Sequence, residues 1–193
     1  MKKTVGWIIA AVLVVAIVCG AFFGLSKNKN DDVEKSVNLT KIDEVINKDL
    51  QKQYPKTPRE VVKHYNKILE CYYNENPTKS QVKKLCKKSL ELFDDDLKKK
   101  NPLDTYYSSI RSDIKKYKDE SRTIKQSTVC SSNDVMYKED KGEEIAYVDA
   151  SYFMKEGKGF AKTFQTYVLR KDKNNQWKIL VWYKIDKSST IQE

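Results

Sequence analysis

Histidine occurs once in this chain, at His64, and cysteine four times, at Cys19, Cys71, Cys86 and Cys130. A Cys/His zinc site has too few ligands at sensible spacing, and no C-x-x-C pair forms a redox motif. Only six glycines are present, and no glycine-rich loop precedes a helix, so the common phosphate-cradling loops are absent. Four of the 37 basic residues are arginine (Arg59, Arg111, Arg122 and Arg170), leaving few bidentate readers of bases and phosphates. Lysines alternate with acids along most of the chain, the pattern of a solvated surface. No specific nucleic-acid partner is expected, and no cofactor or metal.

One long hydrophobic run does occur. Val5 to Leu25 carries no charge and shows no polar face, and about 20 apolar residues are what a helix needs to cross a bilayer. The reading is a transmembrane helix. Met1, Lys2 and Lys3 form a short basic flank, whereas Asp31, Asp32 and Glu34 follow Lys27 and Lys29 on the other side. Positive flanks stay cytoplasmic, so the N-terminus is expected inside and the rest outside, a single-pass cell-membrane protein with an extracytoplasmic domain. A cleaved signal peptide and lipidation at Cys19 are the rival readings. Phe22 and Phe23 continue the apolar run past the nearest small-x-small site, and Val18 stands where a lipoprotein wants a small residue.

The expected organisation is a cytoplasmic tip and span over 1–25, a polar flexible linker over 26–38, one domain over 39–186 and a tail over 187–193. The chain carries a net charge of +10, of which Lys2 and Lys3 supply two, leaving +8 on the rest. Such a domain is attracted to anionic wall polymers or lipid.

Apolar residues at helical spacing predict a first helix over Leu39–Gln51, capped by Asn38 or Thr40. Thr57-Pro58-Arg59-Glu60 is a capping box with proline at the first helical position. Val61, Val62, Tyr65, Ile68, Leu69, Tyr72 and Tyr73 then share one face of a helix over Pro58–Tyr73, with His64 at the margin. Thr78 and Gln81 form a second box, opening a helix with Val82, Leu85, Cys86, Ser89, Leu92 and Phe93 inward. Asp94, Asp95 and Asp96 are read as carboxylates splayed around a helix end, about 100° apart and unable to converge on a metal. A further helix starts at Asn101-Pro102.

From Arg122 the period becomes two. Strands are expected over Thr123–Cys130, Val135–Lys138, Glu143–Lys155, Phe160–Arg170 and Trp177–Ile185, joined by Gly- and Asn-containing turns. Helices first and a meander second is the α+β pattern. On the longest strand, Ala146, Val148, Ala150, Tyr152 and Met154 form the better core face, leaving Asp149 exposed. Cys71, Cys86 and Cys130 read as small buried hydrophobes. Cys71 and Cys86 lie five and ten residues from Asn76. In an antiparallel helix hairpin that offset is about 7.5 Å along the axis, too far for a disulfide.

Tyr54-Pro55 with Thr57-Pro58-Arg59-Glu60-Val61-Val62, then Leu169-Arg170-Lys171-Asp172 and Trp177-Lys178-Ile179, resembles an uncharacterised family of single-span bacterial proteins. The order of elements over Lys41 to Ile185 resembles the nuclear transport factor 2-like superfamily. The resemblance implies a cone of three to four helices and a curved, mainly antiparallel sheet, preceded here by the transmembrane helix. Cone-fold domains on single spans resemble scaffold subunits of secretion machines, and ketosteroid isomerases resemble the same fold with an aspartate base.

The expectation is therefore a membrane-anchored, non-enzymatic binding or assembly module with a protein partner or self-association at the cell surface. The candidate pocket or surface residues are Tyr147, Asp149, Phe153, Phe164 and Trp182. A small-ligand or sensor domain using the cone pocket is the alternative, and an enzyme with Asp149 as acid or base the third reading.

Overall fold

The computed structural model describes residues 39–186. Helices α1 (Lys41–Asn47), α2 (Pro58–Tyr73), α3 (Lys79–Leu92), α4 (Asp95–Lys100) and α5 (Leu103–Asp119) precede strands β1 (Arg122–Val129), β2 (Met136–Asp140), β3 (Glu143–Glu156), β4 (Gly159–Lys171) and β5 (Trp177–Ile185). The α+β class with a curved antiparallel sheet stands. The transmembrane helix in front of it is a correction. The run Val5–Leu25 lies outside the described residues, and among those no helix is long and apolar enough to cross a membrane. The linker expected over 26–38 and the tail over 187–193 also lie outside them.

Three helices start as their capping boxes dictate: Thr40 with Asp43, Thr57 with Glu60, and Thr78 with Gln81 each exchange side-chain and backbone bonds. α1 is shorter than expected. The Asp49 carboxylate accepts the amides of Gln51 and Lys52 at 2.9 and 3.3 Å, turning the chain. Leu50 is then buried from a turn instead of from a helix.

α2 lies at the centre. Val61, Val62, Tyr65, Ile68, Cys71 and Tyr72 are all buried, and the helix touches α1, α3, α5, β1, β3 and β5. Its C-cap Asn74 acts as a one-residue strand. Its side-chain Nδ2 donates to the Ile124 carbonyl at 2.7 Å and its side-chain Oδ1 accepts the Ile124 backbone amide at 2.8 Å. The β1 register shifts between Ile124 and Gln126 at this point. Ser127, further along β1, donates to Glu70 of α2 at 2.6 Å.

The strand order is β1-β3-β4-β5, with β2 also paired to β3, and all pairs are antiparallel. β1 takes residues 150–156 of β3 and β2 takes residues 143–147, so the two share one edge end to end. A second register shift separates Val168 from Leu169 against β5. Such bulges bend and twist a sheet. The β2–β3 turn places Lys141 and Gly142 at φ of 52° and 81°, the pair of positive values that a tight hairpin wants. Ala146, Val148, Ala150, Tyr152 and Met154 are buried as expected, together with Tyr167, Leu169, Trp177 and Ile179.

The aspartate run departs from its sequence reading. Asp94 precedes α4 as its N-cap, accepting the Asp96 amide at 2.9 Å. Two of the three carboxylates therefore do converge, on Arg170. Its Nη2 and Nε meet Asp94 at 2.6 and 3.0 Å, its Nη2 meets Asp96 at 2.8 Å, and its Nη1 meets Glu143 at 3.1 Å. These bonds push the guanidinium further above its ordinary pKa, Asp94 contributing most. Among the described residues no group of three His, Cys, Asp or Glu side chains is placed to hold a metal ion. Phe93 bridges to Ile179 in parallel, and the Asp94 amide donates to the Ile179 carbonyl at 2.8 Å. The segment 93–96 is thus fastened to β5 and β4 together.

Arg170→Gln leaves the buried Asp94 carboxylate unpaired and is expected to cost about 3 kcal/mol in chemical denaturation. Adding Asp94→Asn should recover much of that loss, and no recovery would mean that the two side chains are not coupled. Thr57→Ala is expected to cost about 1 kcal/mol. Val62→Asp, a charge at a fully buried position, is expected to cost several times more by the same measurement.

Candidate functional site

Strand alternation divides the five sequence candidates between two sides of the sheet. Tyr147, Asp149 and Phe153 of β3 and Phe164 of β4 lie on the face away from the core, and Trp182 of β5 lies on the inner face. On the outer face Tyr147 stands beside Met136 and Val168, which stands beside Val181. Thr166 stands between Asp149 and Tyr183, and Phe164 between Ser151 and Ile185. Phe153 and Phe160 stack at 5.2 Å with their rings nearly parallel. Met136, Phe153, Phe160, Val181 and Tyr183 are between 40 and 62% exposed, so no described element covers this face. Lysine ammonium groups sit over two of its rings, Lys138 over Tyr147 at 5.4 Å and Lys162 over Phe164 at 5.2 Å.

Asp149 is half-buried in this row, where the sequence reading left it exposed. Its carboxylate accepts the Thr166 hydroxyl at 2.6 Å across the strand pair, and its backbone carbonyl accepts the Cys130 amide at 2.9 Å. The carboxylate is thus tied to a neighbouring hydroxyl on the side of the sheet opposite the cavity described next.

That cavity, of about 430 Å³, lies between α2, α5 and the inner face of the sheet. Tyr65, Tyr73, Tyr106, Tyr117, Tyr152, Tyr167 and Trp182 line it together with Leu69, Ile110, Ile124 and Met154. Trp182 packs on Tyr65 at 5.7 Å, Phe93 at 5.7 Å and Tyr167 at 6.1 Å. Tyr152 donates to Asn66 at 2.7 Å and lies 2.6 Å from the Tyr167 hydroxyl, while Tyr65 and Tyr106 hydroxyls are 3.4 Å apart. Burial raises the pKa of Tyr65, Tyr152 and Tyr167, so these phenols are neutral hydrogen-bonding groups rather than bases. At the mouth the Arg122 guanidinium meets Glu156 at 3.0 Å. Burial also raises the carboxyl pKa of Asp113 on the rim.

The sequence reading placed these tyrosines on core faces one helix or strand at a time and did not bring them together. A signal was present. The stripes of α2 and α5 carry tyrosine where leucine would pack as well, and each phenol brings a hydroxyl that needs a partner or water.

The three described cysteines are free thiols. Cys86 accepts a bond from the Tyr72 hydroxyl at 3.4 Å, and no disulfide joins it to Cys71. Burial pushes the Cys71 thiol up to about 11 and raises Cys86 and Cys130 as well, which removes thiolate reactivity. His64, expected at a helix margin, is buried, and its Nε2 has no hydrogen-bond partner. Burial holds its pKa down to about 4, with Lys48, Lys67 and Lys88 adding to the shift.

These features define an α+β domain with an uncovered apolar sheet face on one side and a phenol-lined cavity on the other. The chain belongs to the family described as a domain of unknown function (DUF6715), whose model matches residues 1–182. No curated protein matches it.

His64 is neutral in the fold and basic in the unfolded chain, so the unfolded state takes up its proton first as pH falls. Its contribution to stability is complete above about pH 6.5 and is lost between there and about pH 4. The difference in unfolding free energy between the native chain and His64→Leu should therefore change by roughly 3 kcal/mol across that window. A difference independent of pH would show that the ring is not held neutral.

Proposed function

We propose that this chain is a non-enzymatic binding module of nuclear transport factor 2-like architecture, acting on a protein partner through the outer face of its sheet. The observation that carries the reading is the apolar face of Met136, Phe153, Phe160, Val181 and Tyr183, left exposed beside the half-buried Tyr147 and Phe164. Contiguous apolar surface of this kind marks interaction sites more often than solvent-facing surface. The aromatic content suits it, because aromatic side chains dominate the anchors of protein interfaces. We place this work at the outer surface of the cell membrane, a reading supported by the sequence of the N-terminal run alone.

The tyrosine-lined cavity supports a second reading, a small-ligand or sensor domain. Its volume of about 430 Å³ lies in the range of ligand sites, and its walls combine aromatic faces with a few hydroxyls. An amphipathic ligand with a flat apolar body suits that lining. The enzyme reading has less support, since Asp149 lies on the other face and is bonded to Thr166.

The test is recovery of partners from membranes with the full chain as bait. Phe153→Asp and Tyr183→Asp are expected to reduce recovery at least tenfold while leaving the unfolding midpoint close to that of the native chain. Asp149→Asn is expected to leave recovery and cellular function intact. Full recovery by both charge variants would overturn the sheet-face reading. Loss of function in a folded Asp149→Asn protein would favour the enzyme reading instead.

A further inference from the structure

We propose that the groove between the α1–α2 connection and helix α2 is a binding site for a phosphate-bearing polyanion, with the His64 ring lining it beneath the lysines. This stands apart from the sheet-face reading and uses none of its residues.

The groove has a volume of about 730 Å³. Glu60, Lys63, His64 and Lys67 recur at three- and four-residue steps along α2, which sets them in one stripe. Lys48, Lys52 and Lys56 face that stripe from the connection. Five lysines therefore surround one acid. That acid is already engaged, since a Glu60 carboxylate oxygen accepts the amides of Lys56 and Thr57 at 2.9 and 3.2 Å. Lys52 pairs with Asp49 at 3.7 Å, and Lys48, Lys56, Lys63 and Lys67 form no ion pair with another described residue. Like charges gathered this way repel each other and add nothing to the stability of the fold.

The second observation is independent of the charge. His64 is 5% exposed, lines the groove, and has no hydrogen-bond partner for Nε2. A buried polar atom without a partner is costly, and such atoms in native structures call for an explanation. Nε2 itself has no accessible surface, so an oxyanion lodged among the lysines meets the groove side of the ring and acts on it through its charge. Lysine binds phosphate as a point charge, and five of them exceed what a single carboxylate would balance. The groove offers no row of aromatics on which bases could stack, which disfavours a single-stranded nucleic acid.

Electrostatics provide the readout. The charged groups facing the ring are Lys48 from the connection, Lys63, Lys67 and Glu60 from α2, and Lys88 from α3. Lys48, Lys67 and Lys88 repel a proton on the ring, and a bound anion offsets them. The imidazole pKa must then rise.

His64 is the only histidine of the chain, so its ring resonances in a nuclear magnetic resonance spectrum need no assignment by mutation. The full chain, held in neutral detergent micelles, is titrated with acid alone, with sodium tripolyphosphate, and with phosphatidylglycerol doped into the micelles. The expected result is a saturable rise of the His64 pKa by at least one unit with a phosphate probe. Lys63→Gln/Lys67→Gln should weaken that binding at least tenfold. A response to tripolyphosphate identifies a soluble or polymeric phosphate as the source, and a response to the lipid alone identifies a headgroup. Either response supports the site. The proposal is overturned if neither probe moves the pKa, if sodium chloride of equal ionic strength moves it as far, or if the lysine variant binds as tightly as the native chain. Should the double variant fail to fold, Lys56→Gln, exposed in the connection, is read by the same criteria.

Discussion

Helix α2 must lose water on nearly all sides, and the rest of the domain is arranged to make that happen. Its stripe is too wide for one neighbour. Val61, Val62 and Ile68 are fully buried, and so is Tyr72, each worth about 1.5–3 kcal/mol for the smaller side chains. A flat sheet touches a helix along one line, so the sheet has to bend around this one. The register shifts in β1 and between β4 and β5 provide the bend. Asn74 repairs the first of them by lending side-chain hydrogen bonds where the backbone ladder is interrupted. Curvature of the sheet, capping of the helix and burial of its stripe are therefore one constraint seen from three positions.

Features decided within a few residues were legible in the sequence. Thr57 and Glu60 are three apart, and nothing distant can reassign that cap. The same holds for Thr78 with Gln81, and for the alternation that buries Ala146, Val148 and Ala150. α1 was read too long because Leu50 continues the apolar spacing, while the Asp49 side chain competes for the amides of Gln51 and Lys52. Spacing alone does not weigh that competition. The fold around Arg170 was illegible for another reason. Its partners Asp94 and Asp96 lie 76 and 74 residues away, and no local pattern pairs an aspartate run with a strand arginine.

The candidate site was legible in its chemistry and only partly in its geography. Tyr147, Asp149, Phe153 and Phe164 do share a face, because the period of two settles sidedness once a strand is recognised. Trp182 belongs to the opposite side. The register shift between Val168 and Leu169 lies just before its position in the β4–β5 ladder, and a one-residue shift reverses the side a chain presents. The cavity could not be read from single elements, since it exists only where α2, α5 and the bent sheet fail to close on one another. His64 was placed at a margin by its spacing, whereas its burial depends on the turn that follows α1 and on α3.

The order of the strands bears on how the chain is made. β2, β3 and β4 each pair with the next strand in sequence, whereas Tyr54 donates to the Trp177 carbonyl across 123 residues and Phe93 bridges to Ile179. A polypeptide leaving the ribosome presents its N-terminal part first. The apolar stripe of α2 therefore emerges long before the strands that will shield it. Trp177, Ile179 and Trp182, on the last strand synthesised, complete the enclosure. Until they arrive, the helical half is a ready substrate for chaperones, and the closing residues of β5 decide when that exposure ends.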